Sequence, residues 1–286
     1  MIEVNETVAS DVISGFQIPP KPQVLVELKS MLSQPEPDLL EVADLISSDV
    51  GLSAGILKAI NSPLYGLART VSDIKQAVMF IGLHGASSLV TAISLKRSFK
   101  QQNSCISLER FWDSATEIAS VAAFIANKFK HKVAVESVYT LGLFHDCGIP
   151  AMACNYKDYK DLLMEANDNY EQSQIELEQA RYRTDHAVVG YFLATSWNLP
   201  EDVCQVILRS HERDFLRHVR DEQMQVGYAA IKMADNIVTS CKRFVASPDW
   251  PHIKQDVLDV LEIDIDEYQD IKDDVEEMVT SVDITM

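Results

Sequence analysis

The chain has 286 residues, 47% of them hydrophobic, and a net charge of −18. That length and apolar share suit one large domain or two ordinary ones with a full core. So acidic a surface repels phosphate backbones and anionic lipid, which argues against nonspecific nucleic-acid or membrane-surface binding, and no apolar run of about 18 residues predicts a membrane span.

The opening MIEVNETVASDVIS has neither a basic nor an apolar signal region, so the expected compartment is the cytoplasm. Pro19, Pro20 and Pro22 fix an extended lead-in. The stripe Val24, Leu25, Leu28, Met31, Leu32 predicts a first helix. Asp38, with Glu41 three residues on, reads as a capping box before LLEVADLI. Asn61 closes a helix before Ser62–Pro63, and its amide is expected to bond loop backbone. Ser72 is expected to start a helix carrying Ile74, Ala77, Val78 and Ile81. The polar stretch 96–107 reads as a boundary between two helical groups, with residues 108–129 and 134–153 as long, strongly apolar helices of the second. Asp185 caps HAVVGYFLATSW, Pro200 suits the first turn of EDVCQVILRSH, and 223–243 forms a further helix.

Thirteen acids and two bases fall between Asp249 and Met286. Within that stretch Asp264 and Glu267 form a capping pattern, and Tyr268, Ile271, Val275, Met278, Val279 and Val282 follow helical spacing. An amphipathic helix that docks on the body, with its charged face solvated, is expected. Five scattered cysteines (Cys105, Cys147, Cys154, Cys204, Cys241) form no C-x-x-C pair and are expected to be idle. Trp112, Trp197 and Trp250 read as packing residues. No strand alternation appears and glycine is scarce, so the fold class is all-α: two packed helical lobes plus the acidic C-terminal helix.

The stretch 16–66 resembles the opening of the HDOD domain, a bacterial signalling module related to HD-type phosphohydrolases. The resemblance rests on the early prolines, Ile46-Ser47-Ser48-Asp49 followed by Leu52, Asn61-Ser62 with Tyr65-Gly66, and the helix of VSDIKQAVMFIGLHGASSLV ending in a glycine turn at Gly82. It spans roughly 16–245, as a lobe of 16–100 and an HD-like lobe of 101–245. Residues 1–15 precede it and 246–286 form the extension.

The doublet His145–Asp146 in LGLFHDCGIP poses the chemical question. A divalent ion needs several convergent N and O ligands and an open position for water. Adjacent helix residues point about 100° apart, so other helices must complete any such set. The resemblance implies an early histidine, the doublet and a later aspartate, which is matched by Asp235. His186 and His211 match positions where two-metal relatives carry histidines. Ser114 stands where the first histidine belongs, and Ile149 where many active relatives have lysine. A buried polar cluster is the alternative, with Asp146 accepting from His186 or capping a neighbour.

No phosphate-binding glycine loop or nucleophile elbow is present. The reading is therefore a non-catalytic cytosolic signal-transduction module acting on partner signalling proteins, not on nucleic acid or membrane. It would carry no catalytic residue and no cofactor beyond a candidate divalent metal. The alternative is a metal-dependent phosphohydrolase or phosphodiesterase with an atypical ligand set. A third reading, ligand sensing between the lobes, has no residue signature. No room is expected for an attached receiver or catalytic domain, and the oligomeric state is not readable.

Overall fold

The structure, a computed structural model, describes residues 16, 19–62, 65, 67, 69–168 and 173–283, with side chains as far as Glu277. Gly66, expected to belong to the Asn61–Ser62 motif, lies outside them. Among the described residues there are fifteen α-helices, one short 3₁₀ turn and no strand. A first group comprises α1 (Gln23–Leu32), α2 (Leu39–Ser47), α3 (Val50–Ile60) and α4 (Ile74–Ser98). The second begins with α5 (Leu108–Lys128), α6 (Val135–Phe144), α7 (Gly148–Asn155), α8 (Tyr159–Asp168) and α9 (Gln174–Tyr182). It continues with α10 (His186–Ser196), α11 (Glu201–Leu208), α12 (Phe215–His218), α13 (Glu222–Arg243), α14 (Trp250–Leu261) and α15 (Ile265–Asp283).

Short polar side chains start most of these helices, as the orphan N–H groups of a first turn require. Asp185 accepts from the Val188 amide at 2.9 Å. Asp264 and Glu267 bond each other's backbone N–H reciprocally. Two expected starts need correction. Asp38 accepts from Leu40, but no return bond from Glu41 accompanies it. The cap of α4 is Asp73, not Ser72, because its carboxylate reaches the Gln76 amide.

A larger correction concerns 134–153, which is two helices and not one. In an unbroken helix Pro150 would remove an interior hydrogen bond and clash with the preceding turn, at a cost of about 3 kcal/mol. The chain instead turns at residues 145–147, which leaves Pro150 in the first turn of α7, where no N–H is needed. Asn61 behaves as expected: its amide bonds both the carbonyl and the N–H of Val71 at 2.7 Å.

One continuous core runs from Leu25 to Val275 and draws on both helical groups. Helices α5, α6 and α13 pack at its centre, with Trp112 and Phe144 among its largest buried side chains. A smaller cluster lies under α7–α10, around Met152, Tyr159, Leu162 and Val189. Trp197 is buried and donates its indole N–H to the Pro19 carbonyl. All five cysteines are free thiols. Contrary to expectation, one helix, α4, is long and apolar enough by composition to cross a membrane. Here it breaks at Gly82 (φ 72°) and buries Ile74, Val78, Leu89 and Leu95 in the core, which accounts for its apolar character. The acidic α15 docks through buried Tyr268, Ile271 and Val275, and Asn236 donates to the Tyr268 hydroxyl. The side chains of Met278, Val279 and Val282 lie outside the described residues.

Candidate metal centre

The break between α6 and α7 positions the doublet. His145 follows the last turn of α6 and Asp146 occupies the turn itself, where its carboxylate approaches His186 of α10. Two close helix approaches hold the junction. A Cβ on Gly142 would lie 2.7 Å from the Ala119 Cα, and one on Gly148 only 1.9 Å from the His186 carbonyl oxygen. Only glycine lets α7 meet the start of α10 this closely, and that start carries His186.

His145 is buried; its Nδ1–H donates to the Gly142 carbonyl, and its Nε2 lies 3.3 Å from Asp146 Oδ2. Asp146 Oδ1 is buried and accepts no hydrogen bond. It lies 3.7 Å from His186 Nε2 and 3.6 Å from His211 Nε2, and those two nitrogens are 2.8 Å apart. Asp235 stands outside this triangle. Its carboxylate accepts from the Thr239 hydroxyl at 3.5 Å and from Ser247, although His145 and Asp146 feel its charge. Ser114 is half-buried on α5 and makes no hydrogen bond to the centre.

Behind His186 lies a charge pair that sequence reasoning missed. Glu178 on α9 is fully buried and accepts from His186 Nδ1 at 2.7 Å and from the His186 amide at 2.9 Å. Gln174 and the Tyr159 hydroxyl also donate to it. A glutamate in QIELEQARY looks like one more residue of a solvated face, and its partners His186 and Tyr159 come from other helices, so periodicity carries no signal of it. On the far side, Asp249 lies 3.7 Å from His211 Nδ1 and 3.1 Å from the buried Lys232 ammonium.

These contacts fix the charge states. Burial alone would lower the His186 pKa, but the Glu178 and Asp146 carboxylates reverse it and hold the imidazole well above the ordinary histidine range. Burial likewise opposes ionisation of Asp146 and Glu178, yet His145 and His186 respectively keep both below the usual carboxylate values. Asp235 goes the other way: burial raises its pKa, and Lys232 and His145 only partly offset that. Cys147, next to the doublet, is raised well above the usual thiol value by burial and by Asp146, which leaves it an unreactive thiol.

The three converging side-chain atoms fit a divalent ion. With edges of 2.8, 3.6 and 3.7 Å, Asp146 Oδ1, His186 Nε2 and His211 Nε2 are equidistant from one point at about 2.0 Å, the bond length of zinc to nitrogen and oxygen. His186 Nδ1–H on Glu178 turns Nε2 toward the centre, the usual supporting arrangement for a ligating histidine, and an ion binding there would displace the Nε2 proton that the carboxylates favour in its absence. An ion bound there would supply a Lewis acid.

A family model for the HDOD domain matches residues 18–213. An uncharacterized protein of Treponema pallidum is 27% identical over 205 residues, which are 72% of this chain and 39% of that protein. The chain thus spans about two-fifths of that relative's length. Among solved structures, an HDOD domain protein from Geobacter sulfurreducens, of unknown function, matches with TM-score 0.66 and 24% identity over 97% of this chain and 99% of its own. A chain from Shewanella amazonensis, provisionally described as a phosphohydrolase, matches with TM-score 0.71 and 18% identity over 96% and 95%. At these identities the likeness establishes the fold alone.

Proposed function

Because the chain belongs to the HDOD family, we propose that it is a cytoplasmic regulatory module that acts through protein–protein contact and does not hydrolyse phosphate esters. Its Asp146–His186–His211 triangle is a seat for one divalent ion that braces the α6–α7 turn, α10 and the segment after α11. One observation carries this reading. The wide groove of the molecule, about 1480 Å³, is lined by none of His145, Asp146, His186, His211 or Asp235. An esterase holds its substrate in a concavity beside its metal, and the triangle stands apart from this wide groove. Ser114 agrees with this, since a hydroxyl replaces the first imidazole of the hydrolase pattern.

The second reading, a metal-dependent phosphohydrolase, is favoured by the open fourth position that three donors leave to an ion. Hydrolysis assays separate the two. The protein, loaded in turn with Zn²⁺, Mn²⁺ and Mg²⁺, is incubated with bis(p-nitrophenyl) phosphate and with cyclic dinucleotides. Product release at the level of Asp146→Ala is expected for every metal. Turnover that Asp146→Ala abolishes would establish the hydrolase reading.

A further inference from the structure

The groove lies between the two helical groups. Its walls come from α3 and α4 on one side, α5, α6 and the end of α13 on the other, with α15 along one edge. Its charge runs against that of the molecule: five of the 25 Lys and Arg side chains line it, but only three of the 43 Asp and Glu. Lys58 has no carboxylate within 4 Å among the described residues. Lys96, Arg97, Lys242 and Lys272 each pair with a carboxylate at an exposed or half-exposed position. Such surface pairs are weak and exchange readily for another anion.

Two further features mark the groove as a contact surface. Phe244, on its rim, is 90% exposed and holds a left-handed backbone (φ 58°), which is unfavourable for a bulky residue. The left-handed turn ends α13, its N–H bonding the Ser240 carbonyl, and projects the ring into solvent rather than into the core. On the floor, Tyr139 is buried, and its hydroxyl makes no hydrogen bond among the described residues.

Size selects the occupant. At about 1480 Å³ the groove exceeds the usual 300–1,000 Å³ of small-molecule sites. A helix about 10 Å across would fill it for about 19 Å, or about 12 residues. Apolar groove walls receive the apolar stripe of an amphipathic helix, and the flanking cations receive acidic residues beside that stripe. We propose that this groove docks an acidic amphipathic helix of a partner protein. The inference rests on the regulatory reading above and names the surface through which that regulation runs.

The test is selection from a phage-displayed library of random 16-residue peptides on the full chain, followed by fluorescence anisotropy with a labelled enriched peptide. Enriched peptides are expected to carry apolar residues at i, i+3, i+4 and i+7 with a net negative charge. Their affinity is expected to fall at least tenfold on Lys58→Glu and on Phe244→Ser. Both side chains are exposed, so circular dichroism and melting of the variants should match the wild type. No enrichment, enrichment without this pattern, or affinity unchanged in both variants overturns the proposal. So does ATP binding that Lys58→Glu abolishes while no acidic helix is enriched, since the groove would then belong to a small polyanion. Turnover in the ester assay, by contrast, would strike the regulatory reading while leaving peptide selection to be judged by itself.

Discussion

Gly148→Ala tests the helix junction that builds the centre. The added Cβ would sit 1.9 Å from the His186 carbonyl oxygen, 2.7 Å from its carbon and 2.8 Å from the Gly190 nitrogen. All three are backbone atoms of the α10 region, so no side chain can swing aside. Reaching an ordinary contact of 3.4 Å requires α7 and α10 to part by about 1.5 Å at this point. Overpacking by one methyl costs about 1–3 kcal/mol, and two rigid helices place this case near the top of that range. Alanine's better helix propensity returns at most about 1 kcal/mol. A net loss of about 2–3 kcal/mol should lower Tm by about 3–5 °C for a chain of this size. Gly227→Ala is the control: it is also a buried helix glycine, but its nearest new contact is Leu141 Cδ2 at 3.4 Å, and no loss is expected. The same displacement moves His186 away from Asp146, so Zn²⁺ affinity measured by calorimetry should fall at least about tenfold in Gly148→Ala alone. Wild-type melting and wild-type metal binding in Gly148→Ala would refute the argument.

Glu178→Gln keeps a side chain of the same shape but removes the charge behind His186, and Zn²⁺ affinity is expected to fall by about 10–100-fold. Stability against pH should show the same ion pair from both sides. Glu178 and Asp146 are depressed, so their contribution is present above the unfolded carboxylate pKa of about 4 and is lost as pH falls through the folded values. His186 is raised, so its contribution is full below about 6.5 and is lost as pH climbs through the folded value. Urea midpoints should therefore decline on both sides of this window, and the Glu178→Gln profile should be flatter on both limbs; identical profiles would contradict the pairing. Asn61→Ala leaves the Val71 N–H and carbonyl without their partner and should cost about 1–3 kcal/mol in urea denaturation.

Features that depend on a few neighbouring residues were legible in the sequence. Asp185 and Asp264 cap the helices that follow them because the bonding groups lie two or three residues away. Asn61 reaches Val71 for a similar reason, across a short loop. The all-α class followed from periodicity and holds among the described residues. The break at 145–147 was harder, since the apolar run is continuous and only Pro150 marks it. The centre was legible only in part. His145, Asp146, His186 and His211 do meet, but periodicity cannot tell that Asp146 Oδ1 faces two imidazoles while Asp235 stands aside with Thr239. Glu178, Lys232 and Asp249 were invisible because a paired charge in a core has the same letter as a solvated one. The groove was illegible for the same reason: Lys58 and Lys242 share it only after folding.

The position of a bound cation tests the account most directly. Crystals grown with Zn²⁺ and measured at its absorption edge should give one anomalous peak about 2.0–2.2 Å from Asp146 Oδ1, His186 Nε2 and His211 Nε2. A peak held by His145, Asp146 and Asp235, or no peak at saturating Zn²⁺, would contradict it.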